Sequence, residues 1–391
     1  MESKKIFILA GEESGDIRGA ELIENLLAVS PDLQIDAVGG RRMKKAGGRI
    51  LYDMTEFAVV GFVEVLRHYP DFRRLMSDIV GIIRKGNYDA VVLIDYPGFN
   101  LRLAKKIRPM GTRIIYYISP QVWAWGQKRI KEIARLVDRM IVLFDFEENV
   151  YRPCGLDTVF VGHPMVDMVA AYRPNDLRKQ FSIAENVSVV GFLPGSRMKE
   201  VEKILPSMLD AYDIYRDSTG PYKMRFLVSA AREDLKDKIE ELVRQRNAAG
   251  EIIVYPGNVS DILFSSDIVV VASGTATLQT CLYEKPMVVV YRVAFLTWAI
   301  AKMLVKIPYI GMVNVVLGEK KIPELVQKDL TGGRILQEVV RYIQDPGWRE
   351  DIVGALQKIK ARLGQGGAAK KAAGAVSEFL NKNRKKTVEG S

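Results

Sequence analysis

A single aspartate follows a strongly apolar run in the first half of the chain. Asp95 comes directly after Ala90–Ile94, a predicted strand, and precedes Tyr96-Pro97-Gly98, a rigid turn. Burial disfavours a charged carboxylate, so a partly buried aspartate here would have a raised pKa and could accept a proton from an attacking hydroxyl group. An Asx turn or a helix cap is the alternative explanation.

An acidic turn follows the first predicted strand, Lys5–Ala10. It contains Glu12, Ser14 and Asp16, and a helix is predicted to begin there. Carboxylates at the end of a strand repel phosphate, so the turn predicts acceptors for sugar hydroxyls. Acids favoured by the helix dipole are the alternative. The glycine pattern of dinucleotide-binding proteins is absent from this turn.

A turn of small residues joins a buried strand, Ile268–Ala272, to a helix start. Backbone amides of a first helical turn have no acceptor within the helix, and they bind anions such as a diphosphate. The candidate residues of this turn are Ser273, Gly274, Thr275, Ala276 and Thr277. An ordinary capped turn is the alternative.

A second turn of this kind adds a cation. Gly195, Ser196 and Arg197 lie between an apolar strand, predicted at 187–193, and a helix predicted at 199–215. An arginine at a helix start can bind two phosphate oxygens at once. A solvated loop arginine is the alternative. Both turns belong to the same half of the chain.

The elements that must position these residues alternate between β-branched runs and amphipathic helices, which is typical of βαβ units. Further strands are predicted at 34–38, 113–118, 139–143, 158–161, 224–228, 252–254 and 287–291. Among the helices, the first half contains candidates at 16–29 and 127–137. The fold class is therefore α/β, with two facing Rossmann-like domains, each a mostly parallel sheet flanked by helices. We expect a first domain at 1–170, a second at 180–350, and a helical segment with a basic tail at 351–391.

The composition argues against several kinds of catalytic site. The 391 residues contain two cysteines and two histidines, which leaves few ligands for a zinc or iron site and no Ser-His-Asp set. We expect no cofactor and no metal. The first residues predict a β-strand rather than a signal peptide. The net charge of +10 attracts polyanions, and a non-catalytic basic binding protein is one alternative. Nucleic acid is not expected as a partner, since basic and aromatic residues are not interleaved on one surface.

Two apolar stretches, residues 57–69 and 293–317, stand apart from the strand pattern. The second is long enough for a membrane span, but Lys302, Lys306 and Pro308 interrupt it. A helix lying on the bilayer surface is the better membrane interpretation. A core helix beside the sheet remains the alternative.

Together these segments resemble the lipid-A-disaccharide synthase family over nearly the whole chain. The matching motifs are Gly-Glu-Glu-Ser-Gly-Asp at 11–16, Val-Val-Gly-Phe-Val-Glu-Val-Leu at 59–66, Ile-Asp-Tyr-Pro-Gly-Phe-Asn at 94–100, Ser-Pro-Gln-Val-Trp-Ala-Trp at 119–125, Gly-His-Pro at 162–164, Leu-Pro-Gly-Ser-Arg at 193–197 and Ser-Gly-Thr-Ala-Thr-Leu at 273–278. The block at 119–125 together with the acidic first turn is the most specific part of the match.

The resemblance implies a GT-B inverting glycosyltransferase that works without a metal. Its substrates would be UDP-2,3-diacylglucosamine and 2,3-diacylglucosamine 1-phosphate, joined by a β-1,6 bond. Asp95 would be the base, Glu12, Ser14 and Asp16 would bind the acceptor, and the turns at 195–197 and 273–277 would bind UDP.

The resemblance also implies a place in the cell, the cytoplasmic face of the inner membrane of a Gram-negative bacterium, where the protein would be peripheral. The anionic membrane surface would be a partner. Residues expected to contact membrane or acyl chains are Val60, Phe62, Val63, Leu66, Phe295 and Trp298. Whether the protein acts alone or as a homodimer is left open.

The sequence departs from the family pattern at two donor-side positions. Gln279 stands where related nucleotide-sugar transferases have a glutamate that binds the ribose, and an amide oxygen can still accept a hydrogen bond. Asn314 follows Met312-Val313 instead of the usual Leu-Pro. The rival enzymes of similar build are a UDP-N-acetylglucosamine 2-epimerase and a peptidoglycan-type transferase, and the two apolar stretches and the acidic turn argue against both.

Overall fold

The chain folds into two compact α/β units in a computed structural model. The structure describes residues 4–53, 69–248, 250–293 and 309–382. The first unit contains the described residues up to Pro164 and those from Gln365 onward, and the second is Met165–Gly364.

The first unit is built on a seven-stranded parallel sheet with the order β3-β2-β1-β4-β5-β6-β7. Its strands are β1 (Lys5–Ala10), β2 (Gln34–Gly39), β3 (Arg49–Asp53), β4 (Ala90–Ile94), β5 (Ile114–Tyr117), β6 (Arg139–Val142) and β7 (Asp157–Phe160). The central strands are buried on both faces, which explains why they are almost entirely apolar. The order of strands reverses beside β1, so the turns after β1 and β4 lie next to each other.

The second unit has a six-stranded parallel sheet with the order β10-β9-β8-β11-β12-β13. Its strands are β8 (Ser188–Leu193), β9 (Met224–Ser229), β10 (Ile252–Tyr255), β11 (Ile268–Ala272), β12 (Met287–Tyr291) and β13 (Glu324–Val326). Here the order reverses between β8 and β11, which pair directly. The two turns that follow these strands therefore share one edge of the sheet.

Helices cover the sheets. Those of the first unit are α1 (Glu13–Val29), α2 (Arg41–Lys45), α3 (Tyr69–Lys85), α4 (Pro97–Ile107), α5 (Val122–Trp125), α6 (Gln127–Leu136), α7 (Asp145–Tyr151) and, at the end of the chain, α17 (Ala368–Asn381). Those of the second unit are α8 (Met165–Ala171), α9 (Leu177–Gln180), α10 (Met198–Arg216), α11 (Glu233–Gln245), α12 (Val259–Ser265), α13 (Thr275–Leu282), α14 (Met312–Leu317), α15 (Gly332–Gln344) and α16 (Pro346–Arg362).

The predicted fold class is confirmed: each unit is a parallel sheet flanked by helices. The stretch predicted as a separate C-terminal segment, 351–391, is divided between the two units. All of α16 belongs to the second unit, while α17 packs against α1 of the first. A hydrogen bond helps to hold α17 on the first unit, because the buried Arg139 of β6 donates to the Ala375 carbonyl at 2.7 Å.

The residues predicted to contact the membrane lie outside the described residues: Val60, Phe62, Val63, Leu66, Phe295 and Trp298. Among the helices that the structure describes, none combines the length and the apolar character needed to cross a bilayer.

Candidate active site

Asp95 lies at the carboxyl end of β4 in a strained turn. Asp95 and Tyr96 both have left-handed backbones, with φ of 44° and 45°. Such conformations cost about 1–3 kcal/mol each and persist only where surrounding contacts impose them. Here the Asp95 carbonyl oxygen accepts from Tyr116 Oη at 2.6 Å and from Asn100 Nδ2 at 2.8 Å. Asn100 Nδ2 also reaches the Ile94 carbonyl at 3.0 Å.

These contacts hold the main chain of Asp95 and not its carboxyl group. Tyr116 and Asn100 are fully buried, and the sequence alone does not predict that they hold this turn. Asn100 was within a matching motif, but only the folded turn reveals what its amide binds. Two buried side chains, those of Tyr116 and Asn100, therefore fix the backbone of the turn that carries Asp95.

The Asp95 carboxyl group has an environment suited to proton transfer. Burial, and secondarily the negative charge of Glu12, raise its pKa from 3.8 to about 6, while a backbone hydrogen bond from Tyr96 opposes the shift. A carboxylate with a pKa near the working pH is an effective general base. The arrangement can therefore accept a proton from a bound hydroxyl group.

The acidic turn after β1 lies beside the Asp95 turn because Gly11 permits close approach. A Cβ atom at Gly11 would overlap the ring of Tyr96. Glu12 and Ser14 are exposed at the start of α1, at the same edge of the sheet as Asp95. The structure thus brings Glu12 close enough for its charge to act on Asp95, and Ser14 lies in the first turn of α1.

Asp16 also has a structural task. Its side chain is 3% exposed, and its carboxylate accepts from the backbone amides of Gly40 at 2.7 Å, Arg42 at 3.1 Å and Met43 at 3.2 Å. These bonds satisfy the free amides at the start of α2. Asp16 therefore links the acidic turn to α2, and its contact to the acceptor stays a prediction.

In the second unit, the turn after β8 presents an exposed arginine. Glu200, in the first turn of α10, accepts from the Ser196 amide at 3.0 Å, and a Cβ atom at Gly195 would overlap its carboxylate. Arg197 precedes the helix, is 80% exposed, and pairs with Glu200 at 3.2 Å. Exposed pairs of this kind contribute about 0–1 kcal/mol, so the guanidinium group can turn to a ligand at little cost.

The turn after β11 is fixed on one side and open on the other. Ser273 continues the sheet through its amide, which donates to the Val290 carbonyl at 2.9 Å, and its hydroxyl donates to the Ile310 carbonyl at 2.9 Å. Gly274 and Thr275 are exposed, and the amides of Thr275 and Ala276 lie in the first turn of α13. Thr277 closes the turn by donating to the Gly274 carbonyl from both its amide and its hydroxyl.

These two turns share an edge of the second sheet, and together they can bind an anion. They supply helix N-terminal amides from α13 and an exposed guanidinium group before α10. A diphosphate needs both kinds of donor. Within the described residues, His, Cys, Asp and Glu side chains do not gather into a group of three or more that could hold a metal.

Asn314, a further predicted donor-side residue, forms hydrogen bonds within its own unit. It is fully buried, its amide group donates to the Ile322 carbonyl at 2.9 Å and to Glu324 Oε1 at 2.8 Å, and its oxygen accepts from the amides of Lys321 and Ile322. All its bonding capacity is used. In the structure Asn314 braces its own loop, and its contact to the donor stays a prediction.

Gln279 is 7% exposed within α13, and its amide nitrogen donates to Ser260 Oγ at 3.0 Å. The side chain is thus oriented by a neighbour in α12. One of its two N–H donors is thus used inside the unit, and its oxygen is the atom predicted to accept from a ribose hydroxyl.

A family model described as lipid-A-disaccharide synthetase matches residues 6–377. A lipid-A-disaccharide synthase of Geobacter sulfurreducens is 39% identical over 382 residues, covering 97% of this chain and 98% of the relative. One from Geobacter metallireducens is 37% identical over 384 residues, covering 98% and 99%.

A solved structure has a similar fold at low identity. It is the UDP-N-acetylglucosamine 2-epimerase of Neisseria meningitidis bound to UDP-N-acetylglucosamine, with a TM-score of 0.62, 12% identity, and coverage of 97% of this chain and 100% of that one. This likeness concerns the fold alone. The family match spans nearly the whole sequence, so the chain belongs to the lipid-A-disaccharide synthase family and is a glycosyltransferase.

Proposed function

We propose that the protein transfers 2,3-diacylglucosamine from its UDP derivative to 2,3-diacylglucosamine 1-phosphate. The product is a β-1,6-linked disaccharide 1-phosphate, and UDP is released. Membership of the family supports this reaction, because the curated relatives carry the name of the enzyme that makes this disaccharide.

The environment of Asp95 carries the proposal. The 6-hydroxyl oxygen of the acceptor attacks the anomeric carbon while the bond from that carbon to the UDP oxygen breaks. The hydroxyl proton passes to the Asp95 carboxylate, whose pKa burial raises to about 6. One direct displacement inverts the donor's α-linkage to a β-linkage, so a single base is enough.

The two turns of the second unit account for the leaving group. Negative charge grows on the diphosphate as the bond breaks, and preorganised donors stabilise charge that develops in a transition state. The amides at the start of α13 and the guanidinium group of Arg197 are such donors. The likeness to a structure bound to a UDP-sugar supports a UDP-sugar as ligand.

Glu12 and Ser14 are the candidate acceptor contacts. Both are exposed at the edge of the sheet that carries Asp95, and both can accept hydrogen bonds from sugar hydroxyls. The acyl chains of both substrates are insoluble in water, so we propose that the protein works at the anionic cytoplasmic face of the inner membrane. Its net charge of +10 favours that surface.

Turnover with defined substrates tests this function. Purified protein is incubated with the two acylated glucosamine substrates, and disaccharide and UDP are measured. Asp95→Asn should lower kcat by about a hundredfold to ten-thousandfold, the usual contribution of a general base, while UDP still binds. Equal activity of this variant would remove Asp95 as base. Efficient epimerisation of non-acylated UDP-N-acetylglucosamine would replace the proposal with an epimerase.

A further inference from the structure

A buried carboxylate lies near the carboxyl edge of the first sheet, on the strand side away from β1. Glu147 is 2% exposed in the first turn of α7. Its Oε1 accepts from Trp123 Nε1 at 3.1 Å, and its Oε2 accepts from the Phe144 amide at 3.2 Å. The carboxylate therefore joins two loops, one after β5 and one after β6.

The partners of this carboxylate are N–H and O–H donors. The Trp123 and Phe144 N–H groups, and to a smaller extent the Leu143 amide and Ser119, lower its pKa. Ser119 Oγ lies 2.8 Å from Tyr151 Oη. Despite these donors, burial raises the pKa of Glu147 to about 7. An exposed glutamate could cap α7 equally well. The burial of Glu147 therefore needs another explanation.

The indole of Trp123 is fixed from two directions. Its N–H donates to Glu147, and its ring meets the edge of Phe146 at 5.1 Å between centroids and 88° between planes. The loop that carries it begins at Ile118, a β-branched residue with φ of 70°, a conformation that must be imposed by its surroundings. Trp123 is nevertheless only half-buried, so part of the ring remains available for contact.

This loop is a neighbour of the Asp95 turn. The Asp95 amide donates to the Tyr117 carbonyl at the end of β5, and the Ile118 amide donates to the Ile141 carbonyl of β6. The ends of β4, β5 and β6 thus follow one another along the same edge. An oriented aromatic ring beside hydrogen-bonding groups is the usual composition of a pocket for an organic ligand, and the C–H face of a sugar packs on such a ring.

We propose that Glu147 is a positioning residue that holds the Trp123 indole as one wall of the acceptor-sugar site. The inference rests on the proposed function for the location of the acceptor. It adds a contact surface for the sugar ring and a buried group that sets the orientation of that surface.

Kinetics of matched variants test the role. Glu147→Gln keeps the shape, but a single amide oxygen replaces two acceptors, so an N–H of Trp123 or Phe144 loses its partner. We expect the acceptor KM to rise about tenfold, a typical cost of one unpaired buried donor, with the donor KM unchanged. Glu148→Gln is the control, because Glu148 in the same helix bonds only to the Phe160 amide among the contacts described, and its amide oxygen can still accept from that group.

A second variant, Trp123→Phe, tests the proposal independently. It removes the indole N–H and keeps an aromatic ring, so we expect a similar rise in acceptor KM. In the Trp123→Phe background, Glu147→Gln should have little further effect, because the two side chains act through one bond. Additive effects of the two changes, or an unchanged acceptor KM in Trp123→Phe, would overturn the proposal even if Glu147→Gln fails to fold.

Tryptophan fluorescence gives a readout that does not depend on turnover. The difference in emission between wild type and Trp123→Phe should titrate with a midpoint near pH 7, as Glu147 ionises beside the indole. Glu148→Gln should keep this titration and Glu147→Gln should lose it; its persistence in Glu147→Gln would contradict the link. If the wild type forms no disaccharide, the proposed function fails. Wild-type turnover with equal donor and acceptor effects in Glu147→Gln contradicts only the positioning role.

Discussion

At the scale of single residues, the fold gives different hydrogen-bond partners to side chains that look equivalent in the sequence. Asp16, Asp95 and Asn314 are all polar residues predicted to contact a substrate, and Asp16 and Asp95 belong to matching motifs. Backbone amides occupy the oxygens of Asp16 and Asn314, whereas the buried anchors of Asp95 bind its main chain. The residue types could be predicted as functional candidates. Their partners could not, because these come from Gly40–Met43 and Lys321–Ile322, which lie on other parts of the chain.

The first prediction concerns the pH dependence of the proposed base. Asp95 must be ionised to accept a proton, and its pKa is raised to about 6, so kcat/KM should rise with pH, reach half of its plateau near pH 6 and level off above that. Glu12 contributes to the raised value through its charge. Glu12→Gln should therefore move the midpoint of the acidic limb to lower pH, whatever it does to the plateau. A midpoint that stays in place or moves upward would contradict the coupling of the two carboxylates.

Arg197 allows a second prediction at this scale. Its ion pair with Glu200 is exposed, so Arg197→Gln should change the free energy of unfolding by less than about 0.5 kcal/mol. It should weaken UDP binding by about tenfold or more, because a charge-assisted bond to phosphate is lost. Calorimetric titration with UDP measures the effect.

The control for Arg197 is at the other end of the same helix. Arg216 lies in the last turn of α10 and pairs with Asp213 and Asp217. Arg216→Gln should leave the affinity for UDP at the wild-type value. Equal affinities of the two variants would remove Arg197 from the donor site.

At the scale of elements, the sequence predicts the centres of both sheets and misses an edge of each. The strands predicted at Lys5–Ala10, Ala90–Ile94 and Ile268–Ala272 are confirmed residue for residue. Helices on both faces bury such strands completely, so they read as continuous apolar runs. β3 and β13 are edge strands, one with polar ends and one of three residues, and neither carries that pattern.

The third prediction concerns α17, the helix that returns to the first unit. Arg139 is 1% exposed, pairs with Asp157 at 2.6 Å and Glu378 at 3.3 Å, and donates to the Ala375 carbonyl. Arg139→Met leaves that carbonyl without its donor and removes both ion pairs. We expect a loss of about 2–4 kcal/mol in the free energy of unfolding, measured with urea.

An exposed ion pair of the same unit is the comparison. Lys105 of α4 pairs with Glu132 of α6, and both side chains are about half exposed. Lys105→Met should cost less than about 1 kcal/mol. Similar losses in the two variants would mean that Arg139 does not anchor α17.

At the scale of the whole molecule, charge and the predicted apolar stretches lead to a prediction about membranes. The net charge of +10 should draw the protein to anionic vesicles, at about 1 kcal/mol for each lysine or arginine near the surface. Salt shortens the reach of this attraction from about 10 Å at 0.1 M to about 3 Å at 1 M, while apolar insertion does not depend on it. We therefore expect strong sedimentation with anionic vesicles at low salt and weaker, but measurable, sedimentation at high salt.

A pair of phenylalanine variants separates apolar docking from general adhesion to vesicles. Phe62→Ser, in the predicted membrane stretch, should abolish much of the binding that remains at high salt, because burying a phenylalanine contributes about 1.5–3 kcal/mol. Phe264→Ser is the matched control, since Phe264 is 46% exposed on α12, outside both predicted stretches. Absence of vesicle binding by the wild type at either salt concentration would rule out the membrane surface as a partner. Equal losses in the two variants would rule out Phe62 as part of the docking surface.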